Sequence, residues 1–230
     1  MSNRFVNIDN RDYHMHSSNF SDGLSSIDEI VRFTGEIGLK AIAITDHSQF
    51  AIDFLNNKYG SHLGCSFRRT LGRWRNVINE VDVQFGVEGD LINENGDCCF
   101  DIQGVEPEFR ILSAHGNIYQ SPNDTITKGT IRAIERYKEK IAFIGHPCNK
   151  RDFGLHIDMN ELVDCANANG VALEFNAKDF VQGTTDIHKL RYLLEKTDRI
   201  YINSDGHTLY ELREMRKQAI DWLKNEGYIN

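Results

Sequence analysis

The chain has no apolar run approaching the roughly 18 residues that a membrane-spanning helix needs, so no membrane span is expected. Its opening residues, MSNRFVNIDNRDYH, lack the apolar core of a secretory signal, and a cytoplasmic location is expected. Only three prolines occur. No internal repeat, low-complexity tract or Pro/Gly-rich linker divides the 230 residues, which reads as one domain spanning 1–230. Five cysteines form no CxxC pair and no framework spacing, which argues against a disulfide scaffold and a structural zinc knuckle. Basic residues are also scarce: 26 Lys and Arg stand against 34 Asp and Glu, a net charge of −8. That balance disfavours broad, charge-driven nucleic-acid binding but leaves room for a small anionic substrate on a local patch.

What the chain does have is a series of short apolar runs that end in metal-ligand side chains. His14 and His16 close DYHMH, Asp46 and His47 close KAIAITDH, and Glu88 closes VQFGVE. His115 closes FRILSAH, His146 closes IAFIGH, Glu174 lies within VALEFN, and Asp205 and His207 follow RIYINS. Metal chemistry requires a few imidazoles and carboxylates converging on one point, and the carboxyl ends of parallel strands supply such a point.

Between these runs lie helical patterns. SSIDEIVRFTGEIGLK places Ile27, Ile30, Val31, Thr34 and Ile37 on one face, with Ser26 and Glu29 as a capping box and Gly38 as the stop. DTITKGTIRAIERYKEK places Ile131, Ile134 and Tyr137 together, and DMNELVDCANANG ends at Gly170. TTDIHKLRYLLEK points Ile187, Leu190, Leu193 and Leu194 inward, and a last helix opens at Thr208 with Glu211 three residues on. Alternating strands and helices imply parallel pairing through right-handed crossovers. Two segments break the rhythm. Residues 51–80 exceed one crossover and hold Lys58, Arg68, Arg69, Arg73 and Arg75; they suit either a lid or, slightly better, a solvated helix face. Residues 92–108 carry NENGD, a hairpin signal. An open sheet and a closed barrel both fit the alternation, but ligands from first strand to last meet only in a closed ring. The expected fold is therefore α/β, a barrel of about seven strands.

In this order, HMHSSNFSDG, AITDH, GVEGD, SAHG, GHP and SDGH resemble the polymerase and histidinol phosphatase (PHP) family of metal-dependent phosphoesterases. The resemblance runs from about Asp12 to about Leu223 and implies a distorted (β/α)7 barrel with a two- or three-metal centre. Carried over by position, it implies that His14, His16, Glu88 and Asp205 hold one metal. Glu88, as a bridge, would hold a second with His115 and His146. Asp22, His47 and His207 would hold a third, position 22 being histidine in some members and aspartate in others. Glu88, Asp205 and His207 are the implied catalytic residues.

The residues themselves agree with this chemistry. His14 and His16, two apart in a strand, share a face and can both reach one ion at roughly 2.0–2.2 Å. A carboxylate can bridge two cations, and cations about 3.5–4 Å apart can activate water and stabilise the leaving oxygen of a phosphate ester. Imidazole with carboxylate suits zinc, manganese or iron. His62, His156 and His188 lie at no strand end and read as ordinary surface or core histidines. Glu174 reads as a ligand or as a hydrogen-bond partner of a ligating histidine. Asp46 reads as structural, and Cys148 as a bystander beside GHP. Lys150, Arg151 and Lys178 follow strand ends and are candidate phosphate partners, Arg151 alone being able to give two parallel hydrogen bonds.

The expected function is hydrolysis of a phosphomonoester on a small metabolite of nucleotide or histidinol-phosphate type. A nuclease or proofreading phosphodiesterase acting on nucleic-acid ends is the alternative. A C–N or lactone hydrolase of amidohydrolase type shares the HxH opening, but its usual bridging lysine has no need here, since Glu88 already supplies a bridge. A non-catalytic binding protein is the last alternative, and failure to take up metal would favour it.

Overall fold

A computed structural model describes residues 4–59, 66–152, 154 and 156–229, with the side chains of 55–59 excepted. His62 and the Lys58 side chain therefore lie outside the described residues. Eight strands form one sheet: β1 (Arg11–Asp12), β2 (Ala41–His47), β3 (Asp82–Leu91), β4 (Cys98–Cys99), β5 (Phe109–Ser113), β6 (Phe143–Ile144), β7 (Ala172–Asn176) and β8 (Ile200–Asn203). Seven pair in parallel in the order β1-β2-β3-β5-β6-β7-β8, and β4 pairs antiparallel to β3. Parallel bridges from Phe5 to Ile200 and from Met15 to Gly206 bring the first and last strands together. The sheet is thus a nearly closed, distorted (β/α)7 barrel: the strand-end residues predict a barrel of about seven strands, and the family resemblance implies its distorted form.

The helices are α1 (Ile27–Glu36), α2 (Gln49–Tyr59), α3 (Phe67–Arg73), α4 (Ile126–Tyr137), α5 (Met159–Asn169), α6 (Ala177–Val181), α7 (Ile187–Lys196) and α8 (Leu209–Asn225). Both sequence-predicted capping boxes form: Ser26 with Glu29 at α1, and Thr208 with Glu211 at α8. Each satisfies helix N–H groups that have no partner inside the helix. The predicted stops Gly38 and Gly170 take the left-handed conformation, at φ 82° and 69°. The buried face of α4 is rotated from the expected one. Ile126, Thr130, Ala133 and Ile134 are buried while Ile131 and Tyr137 are only half-buried, because small residues let the helix lie close to its neighbours. Residues 51–80 hold most of α2 and all of α3, and the predicted hairpin pairs Asp90 with Cys99 and Leu91 with Cys98.

Two apolar layers position the site. An outer cluster fills the space between strands and helices. An inner one, built on Ile111, Phe143, Ala172 and Tyr201, plugs the barrel from below. Phe143 and Tyr201 stack there with ring centroids 4.6 Å apart. His14 lies directly over this plug, its ring 6.3 Å from that of Phe143. No helix among the described residues is long and apolar enough to cross a membrane.

Candidate metal centre

Strand alternation explains why the ionisable groups converge. Past β1 the chain stays extended, so His14 and His16 face the barrel axis while Met15 between them is fully buried in the outer cluster. On β3, Glu88 and Asp90 take the inward face and Val87 the outward one. Register places His47 beside Glu88, and Glu88 beside Ile111. His115, His146, Asp205 and His207 lie just past the ends of β5, β6 and β8. His146 and Asp205 hold positive φ, 31° and 51°, two of three such non-glycine residues among those described. Side-chain-bearing residues enter this region at a cost of order 1–3 kcal/mol and do so mostly at functional sites. Gly23 lies in the loop carrying Asp22. A Cβ there would meet the His16 carbonyl oxygen at 2.1 Å, so the loop can lie against His16 only with glycine.

Glu88 is the hub. Its Oε1 lies 2.9 Å from His146 Nε2, 3.3 Å from His14 Nε2 and 3.6 Å from His115 Nε2. Its Oε2 lies 3.0 Å from His47 Nδ1 and 3.5 Å from His16 Nε2. Asp205 Oδ1 faces His16 Nε2 at 3.4 Å and His14 Nε2 at 3.8 Å. Asp22 Oδ1 faces His207 Nε2 at 3.3 Å and His47 Nε2 at 3.5 Å. All nine residues singled out in the sequence thus meet in one cluster. Side-chain exposure grades it from floor to mouth: His14 and His16 at 0%, His47 at 12%, His207 at 21% and Asp22 at 45%.

The ring nitrogens His14 Nε2, His16 Nε2 and His47 Nδ1 are buried and make no hydrogen bond. Buried polar atoms rarely stay unpaired, and these three point at carboxylate oxygens without the alignment for hydrogen bonding. Divalent cations fit that arrangement. Among the described residues three such groupings occur, with candidate ligand atoms within 4.8 Å of one another: His14, His16, Asp205; His47, Glu88, His115; and His16, Asp22, His47, His207. Proton affinities report the same crowding. Burial alone would lift Glu88, but His14, His115 and His47 outweigh it and hold the carboxyl well below its usual range. Burial, together with His207 and His47, lowers His16 to about 3. Burial opposes His115 too, but Glu88 and Asp90 prevail and raise it to about 10.

Carboxylates behind the cluster orient its imidazoles. Glu174 Oε1 accepts a hydrogen bond from His14 Nδ1 at 2.9 Å, and Oε2 accepts from the His146 backbone N–H at 2.8 Å. Glu174 therefore stands behind His14 and His146, on the side away from the cluster. Asp90, which sequence reasoning passed over, does the same for His115, with Oδ1 2.6 Å from Nδ1 and Oδ2 accepting from Ser48 Oγ. Its signal was present, since it lies two residues after Glu88 on the same strand face. A histidine whose Nδ1–H is held by a carboxylate presents Nε2 to a metal. Asp46 is structural, accepting from the backbone N–H and hydroxyl of Ser17 at 2.6 and 2.7 Å. Cys148 is buried, and burial pushes its thiol well up. His156 and His188 are exposed.

Above the centre opens a cavity of about 170 Å³, lined by Glu88, His115, His146, Arg151, Lys178 and His207 among others. Asn149, Asp152 and Asp179 also line it and were not read from the sequence. Buried Asp179 anchors the mouth, accepting from Asn149 Nδ2 at 2.7 Å and Arg151 Nη2 at 3.1 Å. Lys150 is exposed and lies outside the cavity lining. Lys178, expected on the rim, is largely buried with Nζ 2.8 Å from Asp205 Oδ2.

Comparison with known proteins places this arrangement. The DNA polymerase/3'-5' exonuclease PolX of Bacillus subtilis (strain 168) is 28% identical over 230 residues, 95% of this chain. The chain spans only 38% of that relative's length. A "Probable phosphatase" of Shewanella loihica is 26% identical over 224 residues, 94% of this chain and 85% of its own length. A solved histidinol phosphate phosphatase of Lactococcus lactis subsp. lactis, complexed with zinc, L-histidinol and phosphate, shares the fold. It does so at TM-score 0.59 and 16% identity, over 95% of this chain and 94% of that one. The PHP domain family model matches residues 12–178, and the chain belongs to that family.

Proposed function

We propose that the chain is a metal-dependent phosphoesterase that hydrolyses phosphomonoesters of small metabolites of nucleotide or histidinol-phosphate type. The observation that carries this reading is a buried carboxylate, Glu88, ringed by five imidazoles, with three unpartnered ring nitrogens aimed at carboxylate oxygens. In this reading His14, His16, Glu88 and Asp205 hold one cation, Glu88, His115 and His146 a second, and Asp22, His47 and His207 a third. Two or three such ions (zinc, manganese or iron) would acidify a water and neutralise phosphoryl oxygens.

The chain's own groups then have distinct tasks. Glu88 keeps the imidazoles apart and oriented from within the cluster. Asp205 turns Oδ1 toward His14 and His16 as the oxygen offered to the first cation, while Lys178 and Asn176 hold Oδ2. His207, at the mouth, stands on the leaving-group side. Arg151, held at one nitrogen by Asp179, has the remaining guanidinium edge for two phosphate oxygens. Lys150 and Lys178 add positive charge around it.

A second reading, a phosphodiesterase on nucleic-acid ends, draws on α3 and the residues just after it. Arg68, Arg69, Arg73 and Arg75 are exposed and have no ion-pair partner among the described residues. Phe67 ties that helix to Phe20, two residues from Asp22, at 5.0 Å between ring centroids. The test is a screen of phosphorylated metabolites beside short oligonucleotides, with manganese and zinc supplied separately. Metabolite turnover independent of salt supports the first reading. Oligonucleotide cleavage that falls steeply with salt would replace it with the second.

A further inference from the structure

Asp205 does not offer its two oxygens equally. Oδ1 faces His16 Nε2 and His14 Nε2 at 3.4 and 3.8 Å. Oδ2 is already taken by Lys178 Nζ at 2.8 Å and Asn176 Nδ2 at 3.0 Å. Lys178 is well placed to keep this hold. It is the second residue of α6, a helix begun where Asn176 caps the backbone N–H of Asp179, so the end of β7 and the start of α6 aim both donors at one oxygen. The backbone of Asp205 is itself pinned at φ 51°, which fixes the carboxylate's approach.

The same ammonium lies 3.3 Å from His207 Nδ1. That nitrogen also lies 3.0 Å from the Asp205 carbonyl oxygen, while Nε2 faces Asp22 Oδ1 at 3.3 Å. If Nδ1 accepts from Lys178, Nε2 carries the ring proton and has no lone pair for a cation. If Nδ1 donates to the Asp205 carbonyl, Nε2 is free, but the ammonium then faces an N–H and must yield. Loading His207 with a cation therefore opposes its contact with Lys178, and it places two positive groups side by side. The position made by Asp22, His47 and His207 has only one carboxylate, half exposed, to offset that cost. The two deeper positions have Glu88 and Asp205.

We propose that Lys178 is an internal cation of the centre, a positioning residue that limits Asp205 to one ligand oxygen and weakens cation binding at the Asp22–His47–His207 position. The inference rests on the metal-centre reading above. It makes the chain a protein with two tightly held cations and a third that exchanges.

Chelator-stripped protein titrated with Mn²⁺, followed by electron paramagnetic resonance of free ion and elemental analysis after desalting, tests it without any turnover assay. The wild type should retain two equivalents through desalting and bind a third with a dissociation constant larger by about tenfold or more. Lys178→Met should tighten that third step by about tenfold, and Lys178→Arg, which keeps the charge, should leave it weak. Melting of each metal-free variant reports whether it folds, and Lys178→Gln replaces Lys178→Met if the latter does not. Three equally tight equivalents in the wild type, or a third step unmoved by loss of the charge, would overturn the proposal. A folded chain that takes up no Mn²⁺ would instead bring down the metal-centre reading beneath it.

Discussion

Glu88 has five imidazole nitrogens within 3.6 Å of its carboxylate oxygens. Fully buried, it survives as an anion only because five imidazoles surround it. Glu88→Ala, like His14→Ala, should abolish p-nitrophenyl phosphate hydrolysis while far-ultraviolet circular dichroism keeps the wild-type helix signal. Retained turnover in either variant would refute the assignment. Asp90→Asn should act more gently, leaving His115 in place but poorly oriented. A loss of about 10–100-fold in metal affinity is expected, measured by chelator competition. The pH dependence follows from His115. Against its burial, Glu88 and Asp90 raise its folded pKa to about 10, so in metal-free protein its pairing stabilises the fold fully below the ordinary imidazole range. That stabilisation is lost as pH rises through about 10. A cation must displace this proton. Zinc uptake near neutral pH should therefore release protons and tighten as pH rises. Calorimetry in buffers of different ionisation enthalpy checks this, and heats independent of buffer would contradict it.

At the scale of elements, the most legible signals were the local ones. Both capping boxes and both glycine stops involve residues within four positions of one another, so a linear reading suffices. Thr208→Ala should cost about 1 kcal/mol in denaturant unfolding, because it removes the acceptor for the Glu211 N–H at the head of the 17-residue α8. α6 went unread because its five residues show no helical period, and its start depends on the Asn176 cap at a strand end. The face of α4 was misjudged for a different reason. Gly129 and Thr130 are buried there, and hydrophobic periodicity gives small residues no weight. Asp90 was missed although its alternation with Glu88 was visible; the imidazole it orients, that of His115, lies past the end of a different strand.

For the whole molecule, the barrel stacks a dry aromatic floor beneath a layer of crowded ionisable groups. Such a layer is costly without cations, since water is excluded from below and Glu88 is itself buried. Removing metal with a chelator should lower the melting temperature, and restoring zinc or manganese should recover it in a concentration-dependent way. Differential scanning calorimetry decides; equal melting with and without chelator would speak against a metal-loaded native state.

The order of apolar runs and their ionisable endings, readable residue by residue, pointed to the barrel class and to eight of the nine clustered residues; Asp22, which closes no apolar run, followed only from the family resemblance. Alternation along a strand has period two, so His14, His16, Glu88 and Asp90 could be given a common face without coordinates. What stands opposite that face is another matter. Register between β2, β3 and β5, and closure of β8 against the N-terminal segment, decided which carboxylate meets which imidazole. They set Glu174 behind His14, Asp179 under Arg151 and Lys178 on Asp205. The sequence separations of these pairs run from 27 to 160 residues, and pairing across such spans is set by packing of the whole ring, which no local pattern encodes.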